Sequence, residues 1–138
     1  MEVAEGLVPD LAAAAPHVER DGVQRATLDR LAAAGLYGIQ GPEWAGGAEA
    51  TGSTYRRVAE LLSGADANTW LVWFQHHPVV RMLAASDNEA LKAHLPDLCS
   101  GKARAGVAFS HLRSSVPSIT ARRDGDCLLY TSPSPRDS

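Results

Sequence analysis

Asn68 to Ser86, "NTWLVWFQHHPVVRMLAAS", is apolar around most of a helical circumference. A helix apolar all round is expected in the middle of a bundle, surrounded by other helices. The rest of the chain supplies them. Val3, Leu7, Leu11, Ala14 and Val18 recur every three to four residues, which puts them on one face of a helix ending near Asp21-Gly22. Within it, Pro9 suits a first turn, and Pro16 should kink or split the helix. A second helix spans Gln24–Ala34 with Leu28, Leu31 and Ala32 as its stripe, and Gly35 is the left-handed residue after it, with Leu36 folding back. A third runs from Ser53 to Leu62 with Tyr55, Val58, Ala59 and Leu62 inward, ended by Ser63-Gly64. Asp66 or Asn68 caps the fourth, where Pro78 should kink the helix by freeing the Phe74 carbonyl. Ser86-Asp87-Asn88-Glu89 reads as a capping box opening a fifth, with Leu91, Leu95 and Leu98 inward and Gly101 beyond.

Helical periodicity then stops. "ARAGVAFSHL" (103–112) and "SITARRDGD" (118–126) read as two strands. Two short strands alone are unstable and call for more sheet. The expected class is therefore mainly α, a bundle of about five helices followed by the opening of a β region. At 45% hydrophobic and 21% charged residues the composition suits a folded domain. A net charge of −3 without a basic stripe argues against a nucleic-acid partner. No apolar run is long enough for a membrane span, and "MEVAEGLVPD" lacks the basic-then-apolar signal pattern. Cys99 and Cys127 have no metal-ligand spacing, so a cytoplasmic chain with reduced thiols is expected.

No catalytic or metal constellation stands out. His76 and His77 are adjacent, so their side chains diverge by about 100° on a helix and cannot share one metal. They read as ordinary helix residues, one of them packed. His111 lies at a strand end, where functional side chains often sit. Trp70, Trp73 and Phe74 read as core; Trp44, in a Gly-rich loop, does not. That loop, "GIQGPEWAGGAEATG", lacks the phosphate-cradle pattern and follows no strand, and its Gly46-Gly47 pair permits unusual backbone angles. Glu43 and Glu49 are loop carboxylates without a supporting context, and Cys99 has no base beside it.

The order of features resembles the acyl-CoA dehydrogenase family. "LDRLAAAGLYGIQGPEWAGG" is similar to the family's Ala-Gly-Leu turn and Pro-Glu-x-x-Gly-Gly loop. "YRRVAELLSGADANTW" resembles the next helix and its turn, and "DNEALKAHLPDLCSGKARAGVAF" the run into the first strand. The resemblance covers nearly all of Val3–Asp126. It implies a helical domain at 1–102 that closes over the substrate, and the start of a middle β-barrel-like domain at 103–126. It also implies FAD, an acyl-CoA substrate, an electron acceptor or flavin reductase, and a homo-oligomeric parent. In that family a glutamate removes the α-proton of an acyl thioester while hydride passes to the flavin. That glutamate belongs to the C-terminal domain and has no counterpart here, so no catalytic residue is assigned. The positions that would contact flavin are Phe109 and Ser110. The usual Leu-Thr-Glu-Pro is replaced by Phe109-Ser110-His111-Leu112, and the following Gly-Ser-Asp by Arg113-Ser114-Ser115. This departure makes a flavin-dependent monooxygenase of the same fold the second reading. A non-catalytic helical module is the third.

The last segment differs in composition. Cys127–Asp137, "CLLYTSPSPRD", is similar to the translation of a transposase-type sequencing adapter. Residues 127–138 are therefore expected to be non-native, and the parent polypeptide to be longer.

Overall fold

A computed structural model describes residues 2–107, 120–125 and 127–131. They fall into two units, a helical one up to Val107 and a small one beyond it. The helical unit contains α1 (Glu2–Asp21), α2 (Arg25–Ala33), α3 (Gly52–Ala65), α4 (Ala67–Phe74), α5 (His76–Ala84), α6 (Glu89–Lys92) and α7 (Leu95–Cys99). Two 3₁₀ turns, Leu36–Gly38 and Glu43–Ala45, interrupt the link from α2 to α3. The fold is mainly α, as the periodicity requires.

The first helix corrects two expectations. Pro9 is not in its first turn, and Pro16 does not split it; α1 runs through both. The two prolines are exposed, whereas Ala4, Leu11 and Val18 are buried. Both sets repeat every seven residues, about two turns, so prolines and core residues occupy separate stripes. The carbonyls freed by the prolines belong to Glu5 and Ala12, both exposed residues, where water can replace the lost donors. Val3, expected inward, is 58% exposed; Ala4 takes its place.

Gly35 adopts φ 72°, and Leu36 folds back into the core beside Leu31. Asp66 is the cap of α4: its carboxylate accepts from the Asn68 and Thr69 amides, both at 3.2 Å. The expected fourth helix is two helices, because Pro78 has no N–H for the Phe74 carbonyl and the ladder breaks at Gln75. The expected fifth is also divided, and its cap is not the Ser86 box. Asn88 Oδ1 accepts from the Ala90 amide at 3.0 Å and the Leu91 amide at 3.4 Å. Ser86 Oγ accepts instead from the Asn88 amide at 3.1 Å. Asn88 is the extended residue before α6, so its shorter reach to the first free amides wins. Leu95 and Leu98 are buried, but Leu91 is 43% exposed.

One core centres on Leu31, Tyr37, Val58, Leu62 and Trp73, between α1, α2, α3 and α4. A second, made by Val80, Leu95, Leu98 and Cys99, joins α5 to α7. The Gly-rich loop is stitched across itself: Ala48 and Glu49 amides donate to the Gly38 and Gly41 carbonyls, each at 2.9 Å. Gly46 supplies a left-handed angle (φ 80°), and Gly47 supplies space. A Cβ on Gly47 would lie 2.1 Å from the Gly41 carbonyl oxygen. Backbone cannot swing aside as a side chain can, so Gly47→Ala should cost about 2 kcal/mol. A drop in urea midpoint at unchanged slope checks this.

The small unit is a two-stranded antiparallel hairpin, β1 (Thr120–Asp124) and β2 (Cys127–Thr131), with Thr120 opposite Thr131 and Asp124 opposite Cys127. The second expected strand is thus present as β1. Its partner lies in the segment expected to be a non-native tail. Of the first expected strand, residues 103–107 form no strand, and the remainder lies outside the described residues. No barrel is formed among the described residues.

Candidate functional site

Three side chains from separate elements meet in the helical unit. Tyr37 comes from the first 3₁₀ turn, His76 from the first position of α5, and Arg104 from the segment after α7. Each is placed by a local feature already described. Gly35 turns the chain so that Tyr37 points inward, and the break at Gln75 starts a new helix on His76. They line a cleft of about 330 Å³ with Leu28, Val72, Gln75, Ala105 and Gly106.

Tyr37 and His76 are buried, and their rings meet edge to face at 4.8 Å between centroids. The Arg104 guanidinium lies over the Tyr37 ring, 5.3 Å from its centroid, and pairs with the Asp29 carboxylate. This contact combines cation–π attraction with a charge already neutralised by its partner. His76 Nδ1 accepts from the Ala105 amide at 3.3 Å. Burial holds the His76 pKa down to about 4; the Leu98 backbone opposes the shift, and the Arg104 charge adds to it. Burial also raises the Tyr37 phenol, with Arg104 pulling down and Asp29 pushing up.

His77, the next residue of α5, lies 4.3 Å from the Trp73 ring and 5.1 Å from Tyr55, both edge to face. Neither of its ring nitrogens has a hydrogen-bond partner among the described residues. Burial lowers its pKa to about 3, and His76 adds to the effect. Tyr55 is pushed up to about 12 by burial. Both imidazoles are therefore neutral at pH 7 and weak as proton acceptors. Among the described residues the site offers apolar walls and hydrogen bonds, with no poised acid or base.

The two adjacent histidines, expected to be ordinary helix residues with one packed, are both buried. Trp73 is core, with Nε1 donating to the Leu36 carbonyl at 3.1 Å. Trp70 is half-buried, but Phe74, expected in the core, is 37% exposed, and Leu71, Val72 and Met82 are exposed as well, so the apolar stretch is not enclosed on all sides as its composition suggested. Trp44 is 64% exposed, as its loop position suggests. Burial raises the Cys99 thiol. No group of three potential metal ligands occurs among the described residues, and no described helix is long and apolar enough to cross a membrane. Tyr37 and Arg104 were not singled out by pattern. The available signal for Tyr37 was an aromatic directly after a helix-ending Gly-Leu pair.

FAD does not fit the cleft. Its volume is at the small end of small-molecule pockets, and no glycine-rich turn leads from a strand into a helix among the described residues. Phe109 and Ser110, the positions the resemblance assigns to flavin, lie outside the described residues, as does His111. No curated protein and no solved structure matches the chain. Residues 2–102 match the family model for the acyl-CoA dehydrogenase N-terminal domain, a span that contains α1 through α7. The chain therefore belongs to the acyl-CoA dehydrogenase family, through that family's N-terminal helical domain.

Proposed function

We propose that this chain is the substrate-side helical domain of a flavin-dependent oxidoreductase. Its parent polypeptide takes FAD and oxidises the α,β bond of an acyl thioester, passing electrons to a separate acceptor. The observation that carries the reading is the match over residues 2–102, which coincides with the helical unit. Family membership supports a homo-oligomeric parent. The proposed domain division remains 1–102 for the helical domain and 103–126 for the start of the next, with 127–138 non-native. Phe109 and Ser110 are the proposed flavin contacts. The base and most of the flavin site would come from sequence beyond these residues, so the 138-residue chain alone is expected to be inactive.

The second reading, an oxygenase that uses reduced flavin, is favoured by one observation: Ser110-His111-Leu112 stands where the family has Thr-Glu-Pro. One experiment separates the two. The open reading frame is re-read from the source locus through the Asp126 codon, and the resulting protein is purified with FAD. Anaerobic bleaching of the flavin by an acyl-CoA is the expected result. Oxygen consumption that requires a flavin reductase would favour the oxygenase. A reading frame that terminates at Ser138, or a purified 138-residue monomer holding one FAD per chain, would overturn the proposal.

A further inference from the structure

The segment from Ala103 to Gly106 forms no helix or strand, yet three consecutive residues in it are tied to three different helices. The Ala103 amide donates to the Asp97 carbonyl of α7 at 2.9 Å. The Arg104 guanidinium pairs with Asp29 of α2 and covers the Tyr37 ring. The Ala105 amide donates to His76 Nδ1 of α5 at 3.3 Å. A backbone amide without a ladder partner needs a substitute acceptor, and for Ala105 that acceptor is an imidazole with 0% exposure.

We propose that His76 is a positioning residue: in its Nε2–H tautomer it pins the Ala103–Gly106 strap to α5 and sets the direction in which the chain leaves the helical unit. The tautomer follows from the geometry. A ring nitrogen that faces an N–H must offer its lone pair, so in a neutral ring the proton resides on Nε2. The wall of aromatic groups around the ring keeps it in place, with Tyr37 edge-on at 4.8 Å and His77 at 5.6 Å. Arg104, one residue before the pinned amide, is neutralised by Asp29, so the strap brings no unpaired charge toward the ring. The consequence for chemistry rests on the flavin reading, in which Phe109 and Ser110 follow the strap. The pin itself does not.

The test uses the ¹⁵N-labelled 138-residue chain at pH 7. Long-range imidazole spectra of the unsubstituted chain should show His76 Nε2 as the protonated nitrogen and Nδ1 as the bare one, and the Ala105 amide should be protected from exchange. In His76→Phe, the Ala105 amide should exchange at least ten-fold faster while the Leu31 amide is unchanged. His76→Asn, whose side-chain oxygen can take the place of Nδ1, should restore most of the protection. An Nδ1–H tautomer, an Ala105 amide with no protection in the unsubstituted chain, or unchanged protection in His76→Phe would each overturn the proposal. Because the readout is an amide and a ring nitrogen, its failure would leave the flavin reading standing.

Discussion

Between pH 6.5 and pH 4 the folded chain is expected to lose several kcal/mol of stability. His76 and His77 are buried and neutral, with pKa values held down to about 4 and about 3. In the unfolded chain both return to an ordinary value of about 6.5. Within that window the unfolded state binds more protons than the folded one, so each histidine removes about 1.4 kcal/mol per pH unit as the pH falls. The two together approach twice that slope until His76 begins to titrate, and the curve flattens below about pH 3. Their stability contribution is thus complete above pH 6.5 and falls away on the acid side. A domain holds about 5–15 kcal/mol in total, so a loss of about 6 kcal/mol by pH 4 is a large part of it, and a steep fall in urea midpoint is the expected outcome. Urea titrations at pH 7, 6, 5 and 4.5 measure it. His77→Leu should remove about half the slope and be the more stable protein at pH 5, since neither nitrogen of His77 has a partner among the described residues to lose. Equal midpoints at pH 7 and pH 5 would show that these rings are not the buried neutral groups described above.

Trp73→Ala should be the most damaging single truncation in the helical unit, at about 4 kcal/mol. The side chain is fully buried and stacks on Tyr55 at 5.4 Å between ring centroids. It also closes over His77 and donates Nε1–H to the Leu36 carbonyl at 3.1 Å. Truncation leaves a large cavity and an unpaired carbonyl in the turn that carries Tyr37, so the cleft should loosen with the core. Trp73→Phe separates the two effects. It retains an aromatic ring against Tyr55 but offers no donor, so it should cost about 1–3 kcal/mol, the penalty of a buried unsatisfied group. Urea midpoints of the three proteins rank them. If Trp73→Phe proved neutral, the Leu36 carbonyl would have another acceptable partner and the assigned role of the indole would be wrong.

The helices were legible in order, as were most of their inward faces, though Val3 and Leu91, expected inward, are exposed. Leu31, Val58, Leu62, Leu95 and Leu98 are all buried, as a 3.6-residue period requires. The ends of elements were read less well. Pro16 is tolerated because its stripe faces solvent, a fact about neighbours and not about proline. Ser86 and Asn88 are both competent caps, and only the backbone angle at Asn88 decides between them. The candidate cleft was not legible. Tyr37, His76 and Arg104 are widely separated in sequence and share no motif; Asp29, which neutralises Arg104, is a further distant partner.

By itself, the sequence determined the class and the family: apolar residues at helical spacing demand a bundle, and four short motifs in a fixed order are enough to identify which one. Only the tertiary structure decided that two adjacent histidines would both be buried, one pinning a strap and the other caged by aromatic rings. Periodicity reports whether a side chain faces inward. What it meets there depends on contacts between distant segments, and these carry no signature in local spacing.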